Sequence, residues 1–462
     1  MGPTGPAGTG GGGSSYVNAN IDYSNILVAA NPATSFTNLI EGSDNFVAGD
    51  AAYVTNSGAS NIAIGRSSMG LSSSSENNVG LGYETLYNMS GSHNIAVGYN
   101  SLKGLAASSS SRNISFGLQA MQNVESGDDN VAIGVNALRS ASGASSNIAI
   151  GENALTTATQ SYGSIAIGKE ASKTARYSQY NISIGSQTHF KMRDGGDNIA
   201  IGSQAGYNIL DGYYNISLGN FSMQNAVNNQ ENVAIGNGTL VNITSGNGNV
   251  AIGAGAFSTT VLTASNSTAV GCVSGTAAGI TYNNVSLFGY QAEATGANQV
   301  QLGNASTTTY AYGAVQNRSD ARDKADVRDT VLGLDFINAL RPVDFKWDRR
   351  EQYVDVVAEE VVTVNEDGKE VKTVKYTQVE VPKDGSRKRE RYHHGVIAQE
   401  VQAVIEQTGV DFGGFQDHSL SGGKDVMSIG YEEFIAPLIK AVQELTAQNK
   451  ELADRIAVLE AK

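Results

Sequence analysis

Cysteine and proline are scarce in this sequence. One cysteine among 462 residues, Cys272, excludes an internal disulfide and CxxC metal or redox motifs. No proline lies between Pro32 and Pro342, as expected for continuous strand pairing, because proline cannot donate to a ladder. No run of about 18 apolar residues is present, so no membrane insertion is expected. The N-terminus lacks the basic and apolar segments of a secretory signal, so standard export is not expected.

Charged residues are also scarce, but only in the first part of the chain. Residues 1–318 carry 10 basic and 16 acidic side chains, about 8% of that part, whereas residues 319–462 carry 20 and 28, about 33%, against a usual value of about 25%. The net charge of −14 argues against general nucleic-acid binding, which needs a basic face. Two regions of different structure are predicted, with Ser319 at their boundary.

A short pattern recurs in the first part: asparagine, an aliphatic residue, alanine or serine, a second aliphatic residue and glycine. Residues 61–65 (Asn-Ile-Ala-Ile-Gly) are one copy. The terminal glycines of the central copies are 17 residues apart without slippage, at positions 117, 134, 151, 168, 185, 202, 219, 236 and 253. A fixed short period indicates a stacked architecture in which each repeat contacts its neighbours.

Each copy has the alternation of a short β-strand. We expect Ile62 and Ile64 to face a narrow core and Ala63 to lie where another backbone comes close, since strand side chains alternate. The glycine allows a bend at positive φ, and the asparagine can bond its own backbone or form a side-chain ladder with the coil below. About fifteen coils, spaced by about 4.7 Å, would bury the aliphatic residues together.

These repeats resemble the head repeats of trimeric bacterial adhesins and of many phage tail fibres. The resemblance implies a parallel β-roll in which three chains associate. We therefore predict a mainly β fold with a leader and N-terminal segment over 1–44, an elongated β-roll or β-helix-like homotrimeric stem over 45–303, and a junction over 304–318.

The loops of the stem contain carboxylates, hydroxyls and tyrosines. A glycan-cleaving site would need two carboxylates across a groove, but the candidates fall in variable parts of the repeats, where solvated carboxylates are expected: Asp128, Asp129, Asp194, Asp197 and Asp211. Such loops suit binding to a glycan or protein receptor on a host cell, and they equally suit solubility. No spacing of His, Asp and Glu indicates zinc or calcium, and no cofactor is predicted.

Three motifs follow the composition boundary in order: residues 334–347 (Leu-Asp-Phe-Ile-Asn-Ala-Leu-Arg-Pro-Val-Asp-Phe-Lys-Trp), 394–401 (His-Gly-Val-Ile-Ala-Gln-Glu-Val) and 429–434 (Ile-Gly-Tyr-Glu-Glu-Phe). They closely resemble the self-cleaving C-terminal chaperone domain of phage tail spikes and fibres, the endosialidase-type intramolecular chaperone, over all of 319–462. The resemblance implies an α+β domain that helps three chains trimerise and fold their stem and then cuts itself off. It also implies a virion tail protein, assembled in the host cytoplasm, with other tail proteins as partners.

The same resemblance implies the cleavage site. In that family the cut lies just before the serine of a Ser-Asp pair, and a lysine five positions on completes a dyad. The matching residues are Ser319, Asp320 and Lys324, so the bond cut would join Arg318 to Ser319. A serine hydroxyl needs a base, an ordinary lysine with a pKa of about 10.4 is already protonated, and burial disfavours its charged form. We therefore expect Lys324 to lose its proton in the folded trimer, which gives a single-turnover, self-cleaving serine peptidase with no external substrate.

A solvated linker is the alternative interpretation of Ser319 and Lys324, because a Ser-Asp pair and a lysine among charges are common. Other charged or titratable residues of this region are interpreted as surface or satisfied groups, although the two histidines would be able to tune the site: Arg322, Asp323, Asp326, His393 and His394.

Three further elements are predicted downstream. A helix should run from Val331 to Leu340 and end before Pro342. Residues 353–381 alternate around a hairpin turn at 365–368 (Asn-Glu-Asp-Gly). The basic run 387–391 is read as a solvated insertion.

The C-terminus is predicted to form a coiled coil over 438–459, with heptad positions at Leu438, Val442, Leu445, Asn449, Leu452, Ile456 and Leu459. A β-branched residue or asparagine at a, with leucine at d, favours dimers in simple peptides. The resemblance implies a trimer, and we expect the trimer because the repeats also indicate three chains.

Two other functions compete with a phage tail fibre or spike that attaches to a host. A cell-surface trimeric adhesin would need an export signal and a membrane anchor. A purely structural fibre would have a chaperone domain that assembles the trimer but never cuts.

Overall fold

The computed structural model describes residues 16–20, 24–29, 42–49, 57–72, 74–105, 108–258, 263–275, 282–313, 315–364, 370–421 and 423–461. The chain forms two compact units, one comprising residues 1–294 with 298–302 and the other residues 295–297 with 303–462. Most of the leader predicted over 1–44 lies outside the described residues, and the predicted limits at 44, 303 and 318 stay predictions.

The first unit is built on one sheet of short strands. Strand β1 (Tyr16–Asn20) pairs antiparallel with β2 (Asn25–Ala29), and every strand from β2 to β18 pairs in parallel with the next one in sequence. The further strands are β3 (Phe46–Ala48), β4 (Ile62–Ile64), β5 (Val79–Leu81), β6 (Ile95–Val97), β7 (Ile114–Phe116), β8 (Val131–Ile133), β9 (Ile148–Ile150), β10 (Ile165–Ile167), β11 (Ile182–Ile184), β12 (Ile199–Ile201), β13 (Ile216–Leu218), β14 (Val233–Ile235), β15 (Val250–Ile252), β16 (Thr268–Val270), β17 (Val285–Phe288) and β18 (Gln299–Leu302).

The repeat period sets the register of this sheet. Ile148 pairs with Ile165 and Ile165 with Ile182, so each coil of 17 residues adds one rung directly onto the previous one. Backbone bonds continue the stacking beyond the strands, as in the Leu138 N–H that donates to Ala154 O at 2.9 Å. The predicted parallel β-solenoid is therefore confirmed.

The direction in which the strand side chains face is opposite to the prediction. Ala63 is fully buried inside the coil, whereas Ile62 and Ile64 point outward and are 38% and 39% exposed. The interior of a coil this small has room only for a small residue at the middle of the strand, because residues after the glycine, such as Leu138, already fill it. The aliphatic residues consequently form an outer stripe along the sheet.

The predicted asparagine ladder is present inside the solenoid. Asn130 donates its backbone N–H to Asn113 Oδ1 at 2.9 Å and its Nδ2 to Ala144 O at 2.9 Å. Its own Oδ1 accepts the backbone N–H of Asn147 at 3.0 Å. All these side chains are buried, so the ladder satisfies backbone groups that have no water to bond.

The repeat glycines are required where the coils approach each other. Gly134 has a φ of 134°, and a Cβ atom built on it would lie 2.6 Å from Gly151 O in the next coil. No L-residue fits this conformation and this space without strain. The glycine therefore fixes the close stacking of successive coils, in addition to allowing the predicted bend.

The second unit is an α+β domain with short elements. Strand β19 (Val343–Lys346) pairs antiparallel with β22 (Tyr392–Gly395), β20 (Val354–Val364) with β21 (Glu370–Glu380), and β23 (Phe415–Asp417) with β24 (Met427–Ile429). The helices are α1 (Leu334–Ala339), α2 (Ala398–Thr408) and α3 (Ile435–Glu460). One-turn 3₁₀ helices are formed by Ala321–Asp323, Arg350–Gln352, His418–Ser421 and Tyr431–Phe434.

Aromatic residues form the core of this unit, and two of them, Phe336 and Phe434, come from the predicted motifs. The ring of Phe412 lies 5.3 Å from that of Phe336 in α1 and 4.7 Å from that of Phe434, and Val401 and Val404 of α2 complete the cluster. Helix α1 occupies part of the predicted range 331–340. The strands of the predicted hairpin are present, but its turn at 365–368 lies outside the described residues.

The C-terminal helix α3 covers the whole predicted coiled-coil segment. Leu334 N–H donates to Glu444 Oε2 at 2.7 Å, which anchors α3 to α1. The heptad face is uncovered in the single chain: Leu445 is 46% and Leu452 53% exposed. Within the described part of the chain, no helix is long and apolar enough to span a bilayer.

Candidate cleavage site

A single helical turn sits just after the composition boundary. The 3₁₀ helix Ala321–Asp323 begins with Asp320 as its cap, because the Asp320 carboxylate accepts the backbone N–H of Arg322 at 2.9 Å. It ends at Lys324, whose N–H donates to Ala321 O at 3.2 Å. Aspartate is favoured at such a cap because its short side chain reaches the first free N–H groups. The turn thus folds the chain back between Ser319 and Lys324.

This turn brings the two predicted catalytic residues together. Lys324 Nζ donates to Ser319 Oγ at 2.7 Å, a distance at which a neutral lysine would take the hydroxyl proton directly. Both residues are exposed in the single chain. The structure therefore supplies the proximity of the pair, but within one chain it does not supply the burial that would disfavour the ammonium form.

The charges around the dyad are paired with one another. Arg318 Nε lies 2.7 Å from Asp323 Oδ2, and the Arg322 guanidinium lies 2.6 Å from the Asp320 carboxylate. The side-chain hydrogen bond from Arg322 lowers the pKa of Asp320. Asp320 therefore stays ionised as the cap of the turn, a role that its place in the Ser-Asp pair alone did not predict.

The two histidines are engaged elsewhere in the domain. His394 Nδ1 lies 2.6 Å from Asp344 Oδ1, its partner across β19 and β22. The ring of His393 lies 6.0 Å from that of Phe345. Neither histidine shares a hydrogen bond with Ser319 or Lys324 within residues 315–364 and 370–421, so the structure does not place them at the dyad.

Three of the five candidate aspartates of the stem form ion pairs with arginine side chains. Asp128 and Asp129 both bind Arg112, at 3.2 and 2.6 Å, and Asp211 lies 3.1 Å from Arg193. These contacts agree with the interpretation of the loop aspartates as surface carboxylates. Within the described residues, no group of three or more His, Cys, Asp or Glu side chains is placed to hold a metal ion.

Comparison with known families adds one match. Residues 319–410 match the model of a peptidase family, S74, described as the chaperone of endosialidase. This region is similar to the chaperones of endosialidase. The match begins at Ser319, the first residue of the predicted domain. It ends before the third motif (429–434) and the coiled-coil segment (438–459), so it is shorter than the expected 319–462.

The endosialidase-chaperone region covers about a fifth of the chain. Together with the β-solenoid in the first unit, it supports the architecture of a tail fibre that carries an endosialidase-type chaperone. The family name implies peptidase activity in general, and self-cleavage is its expected form. No curated protein and no solved structure matches the chain.

Proposed function

We propose that this chain is the subunit of a homotrimeric phage tail fibre or spike, whose C-terminal chaperone assembles the trimer and then cuts the bond between Arg318 and Ser319. The stem would attach to a glycan or protein on the host surface, and the fibre would join other proteins of the virion tail after assembly in the host cytoplasm. The observation that carries the proposal is the hydrogen bond between Lys324 and Ser319 at the start of the endosialidase-chaperone region.

The proposed reaction uses atoms that already lie close together. Burial of Lys324 between assembled chains would favour its neutral amine, which takes the proton of Ser319 Oγ. The oxygen then attacks the carbonyl carbon of Arg318, so that a C–O bond forms, the C–N bond breaks and the serine nitrogen takes up the proton. Water hydrolyses the resulting ester and leaves a free carboxylate on Arg318. Each chain cuts itself once.

The outer stripe of the solenoid supports a trimeric stem. The outward aliphatic side chains of the strands are half-buried or exposed in coil after coil, and the exposed ones include Ile95 at 37%, Ile133 at 40% and Ile201 at 41%. Parallel sheets are normally covered on both faces, and a continuous apolar surface of this kind indicates a protein interface. Two further copies of the chain, with the same 17-residue period, would cover the stripe along its length.

The heptad face of α3 supports the same assembly in the chaperone domain. Its a and d residues are uncovered in the single chain, among them Val442 at 62% and Ile456 at 53% exposure. A helix of this length gains little from its own propensity and needs partners for its apolar face. Three helices packed through these residues would hold three chaperone domains together.

Intact mass and a denaturing gel test the proposal on the purified full chain. Cleavage at the proposed bond gives pieces of 318 and 144 residues. Ser319→Ala and Lys324→Met should each leave one band of full length, because the first removes the nucleophile and the second the base. Lys388→Met, which removes an exposed lysine of the same domain, is the matched control and should cleave like the wild type. Cleavage by Lys324→Met at the wild-type rate would contradict the dyad.

A fibre that assembles but never cuts is the second candidate. The exposure of both Ser319 and Lys324 in the single chain favours it. The same gel separates the two candidates, since a wild-type trimer that stays at full length over days would leave only the structural role.

A further inference from the structure

The few basic residues of the stem are unevenly distributed. Six of its nine lie between positions 139 and 193, and three of these six come from two successive coils: Arg176, Lys191 and Arg193. Arg176 and Arg193 are 17 residues apart, so they occupy the same position in adjacent coils. In a stem with a net negative charge, these coils form a local positive surface.

The three cations line a groove on the loop side of the solenoid. The groove has a volume of about 620 Å³. Besides the three cations, hydroxyl side chains of the preceding coils line it, among them Thr157, Thr159 and Thr174. The threonine hydroxyls donate to carbonyls of the following coil, as from Thr159 Oγ1 to Arg176 O at 3.2 Å. Each hydroxyl oxygen still has lone pairs that can accept a hydrogen bond.

Two of the three cations are not neutralised within the stem. Within residues 108–258, Arg193 binds Asp211 at 3.1 Å, but neither Arg176 nor Lys191 forms an ion pair with a carboxylate. Arg112 and Lys173 on the same unit are paired with acidic residues. The groove therefore holds positive charge that is available to a ligand.

Aromatic rings lie beside both unpaired cations. The Arg176 guanidinium carbon lies 5.8 Å from the ring centre of Tyr177, and Lys191 Nζ lies 5.5 Å from that of Tyr207. Tyr177 is 47% exposed. An exposed ring next to a cation offers an apolar surface for the face of a sugar, together with a charge for a substituent of that sugar.

We propose that this groove binds an anionic polysaccharide, with Arg176, Lys191 and Arg193 contacting its carboxylate or sulfate groups and Tyr177 packing against a sugar ring. The planar fork of an arginine suits both groups, and the wall hydroxyls suit sugar hydroxyls. The repetition of the arginine in successive coils, at a spacing of about 4.8 Å, suits an extended chain of charged sugars better than a single small anion. This proposal rests on the proposed attachment role of the stem.

Binding of the full-length protein to soluble polysaccharides tests this groove. The probes are dextran sulfate, polygalacturonate and neutral dextran, with double-stranded DNA as a polyanion of another class. We expect binding to dextran sulfate or polygalacturonate, or both, none to dextran, and weaker binding as salt is raised. The preferred probe identifies sulfate or carboxylate as the recognised group.

The double variant Arg176→Gln/Lys191→Gln should weaken binding to the preferred probe about tenfold or more, since it removes two charged hydrogen-bond donors. The control Lys103→Gln/Arg112→Gln removes the same charge from ion pairs outside the groove and should bind like the wild type. Equal loss in both double variants, equally tight binding to DNA, or no binding to either charged polysaccharide would overturn the proposal.

Mass by light scattering and the cleavage gel, on the same samples, keep this result separate from the proposed function. A cleaved trimer that binds none of the three polysaccharides contradicts the proposed groove and supports the proposed assembly and cleavage. An uncleaved or monomeric chain that binds the charged probe supports the groove and contradicts the proposed assembly and cleavage.

Discussion

Lys324 Nζ donates to Ser319 Oγ at 2.7 Å across a single 3₁₀ turn that Asp320 caps. The two reactive groups are five residues apart in sequence, and the turn alone brings them into contact. Trimer assembly is therefore not needed to bring them together. What assembly would add is the removal of water from Lys324, which decides whether the amine can act as a base.

The cap residue should act on cleavage as a positioning residue. Asp320→Ala removes the acceptor of the Arg322 N–H, so the turn should be less populated and cleavage about fivefold slower. Asp320→Asn keeps a cap of similar strength and should restore the wild-type rate. Asp326→Ala, at an exposed aspartate outside the turn, is the control. The rates are measured by quenched samples on a denaturing gel, and equal rates for Ala and Asn at position 320 would remove the role of the cap.

The coupling of cleavage to assembly can be tested at the heptad face. Leu452→Asp places a charge at a d position of the apolar face, whereas Ala457→Asp places the same charge on the outside of α3. We expect Leu452→Asp to weaken the trimer and to slow cleavage at least tenfold, while Ala457→Asp changes neither. Light scattering and the gel are read on the same samples. If dissociated Leu452→Asp chains cut as fast as the wild type, assembly does not control the reaction.

The sequence allowed the stacking of the stem to be predicted, but not which strand face is inside. The alternation of side chains places Ile62 and Ile64 on one face of the strand and Ala63 on the other. It does not tell which of the two faces points into the coil. A signal was nevertheless present, since the middle position is Ala, Ser or Gly from position 63 to 269, whereas its neighbours vary in size. A position that accepts only small side chains is expected in the crowded interior of a coil, and positions whose side chains vary in size are expected on the outer surface.

The functional sites also differ in how far the sequence allowed them to be predicted. The pairing of Ser319 with Lys324 was expected from the family resemblance, and in the structure a local turn brings the two side chains into contact. The groove around Arg176 and Lys191 was not expected, because its residues are brought together by the stacking of separate coils. The signal for this groove in the sequence was the excess of basic over acidic residues between positions 139 and 193.

The asparagine ladder should be a main source of stability in the solenoid. Asn130→Ala leaves Ala144 O and Asn147 N–H buried without their partners, which should reduce the free energy of unfolding by about 3 kcal/mol. Asn130→Ser should cost about half as much, because Ser164 fills the same position in another coil and its Oγ accepts Asn181 N–H at 3.3 Å. Asn237→Ala, at an exposed site, should stay within about 0.5 kcal/mol of the wild type. Denaturant unfolding of the Ser319→Ala background measures all three, and equal stability of the Asn130→Ala and Asn237→Ala variants would contradict the role of the ladder.

A buried histidine should make the stem sensitive to acid. His189 lies in the interior position that Leu138, Leu155 and Leu240 fill in other coils. Its Nδ1 contacts Ser183 Oγ at 2.8 Å, and Nε2 has no hydrogen-bond partner among the described residues. Burial lowers the pKa of His189 to about 3, well below the value of about 6.5 for an unfolded chain.

The sign of the pH effect follows from which state binds the proton. Above pH 6.5 both states are neutral at His189 and its contribution does not change. Between about pH 6.5 and pH 3 the unfolded chain is protonated and the folded one is not, so stability falls as the pH falls, by at most about 1.4 kcal/mol per pH unit and chain. His189→Leu should flatten this part of the profile, whereas His93→Gln, at an exposed histidine, should leave it unchanged. Melting temperatures recorded from pH 7 to pH 4 decide the matter, because a profile for His189→Leu as steep as that of the wild type would mean that other groups carry the acid sensitivity.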